Sequence, residues 1–583
     1  MKDTNQRLFL AIAIWLACIF GYYTWFAPKK AAQPVAGQTG AASQSPAPAV
    51  PSPPVAAAPS ATTPTPRPAD VPRGTTPPPP LRDVVFETPR ARVVATSQGA
   101  AIKSIQLLGD KWTRHKGGKE ESHVDLVGEH AGEPFPFSTV VKRADGAELV
   151  AVNEAYALVR QDAASATFRV ERGGVTLTKT LSVNPANYGI DLAVEVRSTT
   201  PLTGQLWVQS GAHAEEPSGG MFGSRANTPA RTICVGGDNK VERLAIGAKH
   251  PEYDAAAAQF AGIDEQYFLS AVLPPAGVTA SCKLEAHGEK AGSLIASLIV
   301  PLQGVPLQGT AAQLSFKGYA GPKDAPDLAA VSEALKHSID WGFWSVIAEL
   351  LLGIMKFFQR IVPGHNWGIA IILLTVAMKI LTFPLQHKSM KSMQEMQRIQ
   401  PQLDELKKKH AGDTQRQNLE QMKLFKEHGV NPMGSCLPML IQMPIWFALY
   451  TTLQVSVELY NAPFIPGWLD DLTAKDPYYV LPVAMGITMI LTQVLTPSPM
   501  SNPSQKTMGY VMSGFFSLLM LTLPSGLTLY IFTNNVLSIG QQMYLRRTIG
   551  KPPAGGQTIE VKKKKDDGSS GGAGGAERAK IRA

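Results

Sequence analysis

The sequence predicts a polytopic α-helical membrane protein that carries a large all-β domain outside the membrane, and three observations predict it. The C-terminal third holds a series of apolar runs with the length of a bilayer span. The middle of the chain alternates Val, Leu and Thr with polar residues, the period of a half-buried strand. Basic residues are shared unequally between the connections of the apolar runs, as orientation in a membrane requires. The 583 residues carry a formal net charge of +9, and the excess lies near the C-terminal runs. That placement favours contact with anionic lipid or RNA.

The first element, residues 1–27, contains an apolar run from Leu8 to Phe26 that ends in Tyr22, Tyr23, Trp25 and Phe26. The aromatic end suits a membrane interface. A cleaved signal peptide is the rival reading, but no A-x-A site follows closely and the run is long for one. A lipoprotein reading through Cys18 is weaker, because Trp15 stands where Leu is usual. We read an uncleaved transmembrane anchor. Residues 28–80 are rich in Pro, Ala, Ser and Thr and end in 77-PPPP-80. They cannot bury a core and read as a disordered linker.

Residues 81–330 hold strand-like runs such as 92-RVVATS-97, 175-VTLTKTLSV-183, 189-GIDLAVEV-196 and 313-QLSFKGY-319, broken by Gly and Pro. Strands at this density predict one large antiparallel β-sandwich. Cys234 and Cys282 fall inside it and can pair if the compartment is oxidising, although sequence gives no distance between them. Residues 331–362 include 341-WGFWSVIAELLLGIMKFFQRIV-362, interrupted by Glu349, Lys356 and Arg360. This pattern fits an amphipathic helix lying in the interface better than a span.

Five candidate spans then fall within residues 363–545, at about 367–385, 435–457, 479–496, 508–523 and 527–545. The connection 386–432 carries nine basic residues and the connection 458–478 only Lys475, which puts 386–432 in the cytoplasm. The tail 546–583, with Arg546, Arg547 and the run Lys562, Lys563, Lys564, Lys565, falls on the same side. Together with the anchor these make six spans, both termini cytoplasmic and residues 28–362 outside. Within 386–432, Met390, Met393, Met396, Ile399, Leu403 and Leu406 keep helical spacing, Gly412-Asp413 makes a turn, and Leu419, Met422 and Phe425 begin a second face. The result is a helical hairpin that either packs on itself in solvent or offers a methionine-lined surface to apolar segments.

The functional signal is Lys379, inside 367-WGIAIILLTVAMKILTFPL-385. A charge there costs roughly 2.5–3.5 kcal/mol on insertion scales. Thr375, Lys379, Thr382 and Gln386 share one helix face, and Ile369, Ala377 and Leu381 the other. Either Lys379 snorkels to the cytoplasmic end, about 9 Å away, or the stripe lines a wet cavity in the bundle. Gln442, Thr488, Thr492, Gln493, Thr533, Asn534 and Asn535 offer matching polar groups on other spans, and no acidic partner lies inside these spans. Nucleotide, zinc-protease and serine-hydrolase motifs are missing, 571-GGAGG-575 is a flexible stretch, and His387, His410 and His428 lack metal spacing. No enzyme activity, cofactor or metal is expected.

The stretches 431-NPMGSCLPMLIQMPIWFALY-450, 476-DPYYVLP-482 and 524-PSGLTLYIFTNN-535 resemble the YidC family of membrane protein insertases, in its Gram-negative form. The resemblance covers nearly the whole chain outside 28–80 and the tail beyond about 550. It implies an inner-membrane protein whose large periplasmic domain is a supersandwich with a non-enzymatic role. It also implies a five-span core around a hydrophilic groove with one positive charge, closed toward the outside. A substrate's polar segment enters the groove while its apolar span slides along the bundle into lipid, without nucleotide. By position, the resemblance makes Lys379 the groove charge, where the family more often has Arg, and Thr375 a lining residue. It places Met443, Trp446 and Tyr530 beside the slide path, and Thr382 and Gln442 extend the polar surface. The implied partners are nascent membrane proteins, the Sec translocon and ribosomes, the basic tail suiting ribosomal RNA or membrane lipids equally. A transporter or channel is the alternative. The single positive stripe, the absence of intramembrane acids and the non-repeated spans argue against it. A membrane-anchored enzyme in the β domain lacks a catalytic constellation.

Overall fold

A computed structural model of the chain describes residues 79–116, 119–128, 132–215, 229–305, 311–430, 437–495 and 503–549. The expected anchor 1–27, nearly all of the linker 28–80 and the run Lys562 to Lys565 lie outside the described residues, as does the Arg546 side chain.

Period-two alternation in the middle of the chain becomes two large antiparallel sheets, one of nine strands and one of six. Strand Val175–Val183 pairs with Gly189–Ser198, which pairs in turn with Ala312–Pro322 near the centre of the larger sheet. The long strands Leu202–Glu215 and Ala291–Val305 pair in the smaller one. A separate three-stranded sheet is built from Asp83–Glu87, Ala91–Thr96 and Ala101–Leu107. Side chains such as Phe168, Leu192, Phe260 and Leu298 fill a continuous core. Cys234, on a strand of the larger sheet, is bonded to Cys282 on a strand of the smaller, with Cα atoms 6.5 Å apart. The bridge therefore ties the two layers together.

One position breaks the apolar rule. Val175–Val183 buries every second residue, and that register carries Lys179 inward with Leu177 and Leu181. Its Nζ donates to the carbonyls of Gly99 at 2.8 Å and Phe137 at 2.9 Å, and stands 5.7 Å from the ring centre of Tyr156. Burial holds its ammonium well below the ordinary lysine value.

Among the described residues nine α-helices follow the sheets. A short α1 (Ala325–Val331) leads to α2 (Ser345–Ile361), which buries Ala348, Leu351, Leu352 and Met355. Its Val346, Leu350, Phe357 and Ile361 stay exposed, an apolar face suited to an interface. The core continues as α3 (Trp367–Arg398), α4 (Gln400–Lys409), α5 (Thr414–Glu427), α6 (Leu437–Val455), α7 (Val480–Leu495), α8 (Pro503–Leu519) and α9 (Ser525–Ile549). Ile371 and Leu374 of α3 pack with Leu449 and Leu453 of α6, Met485 of α7 and Leu527 of α9. By length and composition, the stretch Trp367–Met393 is the one described segment long and apolar enough to cross a membrane; Val480–Leu495 and Gly509–Leu519 are shorter apolar helices.

The helix that carries the candidate span at about 367–385 continues through Pro384 to Arg398. Proline costs a helix one hydrogen bond without obliging it to end. In the hairpin, Met396, Ile399 and Leu403 are buried with Val430, and Leu424 and Phe425 pack against them. Leu419 and Met422, expected on that same face, are 57 % and 60 % exposed. The turn itself forms at Gly412-Asp413, where the Asp413 carboxylate caps α5 by accepting from Arg416 N at 2.9 Å.

The β domain sits on one end of the helical core. Tyr460, beyond α6, stacks on Trp112 at 5.8 Å and meets Phe268 edge-on at 5.5 Å. Asn461 Nδ2 donates to the carbonyls of Lys111 at 3.1 Å and Thr113 at 3.0 Å. Lys356 of α2 pairs with Glu458 at 2.5 Å.

Candidate functional site

The polar stripe of α3 faces α9. Lys379 Nζ donates to Ser538 Oγ at 2.7 Å, and Ser538 Oγ donates to the Asn534 carbonyl, also at 2.7 Å. Among the described residues no carboxylate pairs with Lys379. Gln386 Nε2 donates to Thr382 Oγ1 at 3.2 Å, and Thr382 Oγ1 donates back to the Met378 carbonyl at 2.8 Å. Such back-bonding hides a hydroxyl in its own helix. Thr375 is 1 % exposed and bonds the Ile371 carbonyl at 2.7 Å. It is packed inside the bundle and offers no free donor to a cavity.

A second group assembles between α6, α7, α8 and α9. Gln442 Nε2 donates to the Tyr530 hydroxyl at 2.8 Å. Beside that pair lies a cavity of about 290 Å³, bounded by Gln442, Met443 and Trp446 of α6, Met485 and Met489 of α7, and Phe516 of α8. Met520 and the α9 residues Tyr530, Ile531 and Asn534 complete it. Methionine repacks at low cost, so a wall of this kind tolerates varied apolar shapes.

The seven expected groove residues thus fall into two places. Lys379 reaches α9, while Thr382 and Thr375 bond back into α3; Gln442, Met443, Trp446 and Tyr530 surround the methionine cavity. Helix α9 connects the two, because Asn534 lines the cavity and its carbonyl receives Ser538, the partner of Lys379. Ser538 and the α7 pair Met485 and Met489 were not anticipated. Their signal was there: Ser538 stands four residues after Asn534, and Met489 four after Met485, one helical turn in each case. Among the described residues no group of three metal-ligating side chains occurs.

Much of the outward surface of the core is apolar. Ile380 and Leu381 of α3, Val483, Ile487 and Val494 of α7, and Val511 and Leu518 of α8 are all exposed. At roughly 25 cal/mol per Å² of apolar surface, a belt of this extent disfavours water and suits hydrocarbon. An apolar-belted helical core with an inward polar seam, joined to a disulfide-tied β-sandwich, defines a membrane-embedded protein with a large extramembrane domain.

Comparison with known proteins agrees. Residues 83–354 match the family model described as the YidC periplasmic domain, and residues 357–552 match the model described as 60Kd inner membrane protein. The membrane protein insertase YidC of an Anaeromyxobacter species is 41 % identical over 473 residues, 79 % of this chain and 83 % of the relative. That of Geobacter metallireducens is 34 % identical over 571 residues, 94 % of this chain and all of the relative. Among solved structures, an active YidC insertase with its first transmembrane domain resolved aligns over 79 % of this chain and 92 % of its own, at 20 % identity and a TM-score of 0.34. This chain belongs to the YidC membrane protein insertase family, a family of multi-pass inner-membrane proteins that are not enzymes.

Proposed function

We propose that this chain inserts other membrane proteins into the inner membrane, and that the α3–α9 seam and the methionine cavity are the two halves of its working surface. The observation that carries this reading is Lys379, a cation in a membrane-embedded helix that meets a hydroxyl, Ser538, at 2.7 Å instead of a carboxylate. A charge held without a counter-charge attracts acidic or polar segments of an incoming chain. The cavity bounded by Met443, Trp446, Met485 and Tyr530 gives the following apolar segment a deformable contact on its way to lipid. Hydrophobic partitioning drives the step, and the membrane potential adds about 2.3 kcal/mol per charge per 100 mV. No nucleotide is needed.

The finer arrangement follows from charge and is part of the proposal. Five core spans and an N-terminal anchor place both termini in the cytoplasm and residues 28–362 in the periplasm. The basic connection 386–432 and the tail with Arg546, Arg547 and Lys562 to Lys565 lie where ribosomes deliver substrates. The Sec translocon is the expected partner for larger substrates.

The test places a photo-crosslinker at Lys379, at Thr382 and, as the lipid-facing control, at Leu381. Ribosomes stalled on a single-span membrane protein supply the substrate. Adducts from Lys379 and Thr382 but not Leu381 support the seam as the entry path. Efficient insertion with adducts from Leu381 alone overturns it.

A further inference from the structure

Buried polar atoms without a hydrogen-bond partner gather where the β domain meets the helical core: Arg231 Nε, Ser338 Oγ, Gln454 Nε2 and Ser456 Oγ. Two of these residues, Arg231 and Gln454, line a small cavity of about 30 Å³ together with Gln266, Lys323, Ile339 and Asp340. Gln454 is 1 % exposed and Lys323 5 %. The space holds a single small body.

The surroundings say what kind. Arg231 Nη2 and Arg243 Nε each donate to Asp264 Oδ2 at 2.9 Å, and Lys323 Nζ stands 2.5 Å from Asp264 Oδ1. Three cations therefore share one fully buried carboxylate. Burial pushes the Asp264 carboxyl up, but Lys323, Arg243 and Arg231 together bring it below the ordinary value, so it is ionised. Asp264 does not line the cavity; Asp340, half-buried, is the acidic side chain on its wall. Positive charge remains in surplus, and both orphaned atoms on the wall are donors, Arg231 Nε and Gln454 Nε2. A water molecule would accept from both but bring two hydrogens of its own and no charge. An anion accepts from both and offsets the surplus.

We propose that this junction cavity binds one small inorganic anion of halide size, held by Arg231 Nε, Gln454 Nε2 and the Lys323 ammonium, and that the bound anion fastens the β domain to α6. Gln454 is the second-last residue of α6, and its carbonyl already accepts from Gln266 Nε2 of the β domain at 2.8 Å. An anion adds a second fastening beside that one. Burial lowers the Lys323 ammonium, and a bound anion opposes that shift.

The test uses the purified full chain with bromide as the probe. Crystals grown in bromide are expected to show an anomalous peak in the cavity, and Gln454→Met to lose it. In parallel, thermal unfolding of the unaltered chain is compared in bromide and in gluconate, an anion too large for the space, at equal ionic strength. The midpoint is expected to rise by several degrees in bromide, and this measurement needs no variant. A cavity without an anomalous peak overturns the proposal, whatever the unfolding shows. So does a peak that survives in Gln454→Met, because the assigned donor is then not a ligand.

Discussion

Lys379 and Lys179 are both lysines among apolar neighbours, and their partners separate their roles. Lys379 meets one hydroxyl across two helices; Lys179 meets two carbonyls within one domain. Replacing Lys379 by Met removes the seam's charge. A charge-assisted hydrogen bond is worth about 1.5–3 kcal/mol. Insertion of a single-span substrate with an acidic outer segment into proteoliposomes is therefore expected to slow about tenfold or more. Lys379→Arg, which keeps the charge, is expected to retain most of the rate. Replacing Lys179 by Met strands the Gly99 and Phe137 carbonyls, at about 1–3 kcal/mol for each buried group left unpaired. The pH signature is distinct. The folded value of Lys179 is depressed below its unfolded value, so between the two the unfolded chain binds more protons and stability rises with pH. The rise ends near the unfolded value of about 10.4. Denaturant unfolding of the full chain followed by Trp fluorescence is expected to show this slope in the parent protein and a shallower one in Lys179→Met.

The strands were legible because period two is a strong local signal, and Val175–Val183 forms with the expected ends. That same pattern concealed Lys179. A polar residue in the inward register reads as an interruption unless its carbonyl partners, 80 and 42 residues away, are known. Pro384, inside the candidate span, does not end α3, because a helix can lose one hydrogen bond and continue. Two element-scale predictions follow from contacts. The Cys234–Cys282 bridge closes a sequence separation of 48 residues and joins the two sheets. Loop entropy makes such a bridge worth about 4 kcal/mol. Cys234→Ser with Cys282→Ser is expected to lower the denaturation midpoint of the β domain substantially, while core helicity by circular dichroism stays unchanged. At the start of α3, a Cβ on Gly368 would stand 2.2 Å from the Phe464 ring. Gly368→Ala is therefore expected to cost about 1–3 kcal/mol through overpacking, read as a lower unfolding midpoint.

For the whole molecule, charge asymmetry was the informative quantity, and it leads to a test of orientation. In inside-out vesicles, trypsin is expected to cut between Lys388 and Lys426 and to spare residues 83–354; in right-side-out vesicles the pattern reverses. Protection of 386–432 in inside-out vesicles would overturn the orientation. The architecture was readable from the sequence because each part has its own period: two for the sheets, between three and four for the helices. The partition of the site was not. Which polar residues meet depends on how α3 and α6 lean on α9, and hydrophobic spacing says only which face of each helix turns inward.

Helix α3 spans 32 residues, about 48 Å at 1.5 Å per residue, and runs into the basic segment after residue 386. Pro384 removes one rung of its hydrogen-bond ladder, and a helix bends most readily at such a residue. Lys379 lies five residues on one side of Pro384, and the end of α3 at Arg398 lies about 21 Å away on the other. The helix is thus a lever with a short arm and a long one. A bend of about 10° at Pro384 carries the hairpin end through roughly 4 Å and leaves Lys379 nearly still. A bend at Pro384 therefore shifts the hairpin and spares the Lys379–Ser538 contact.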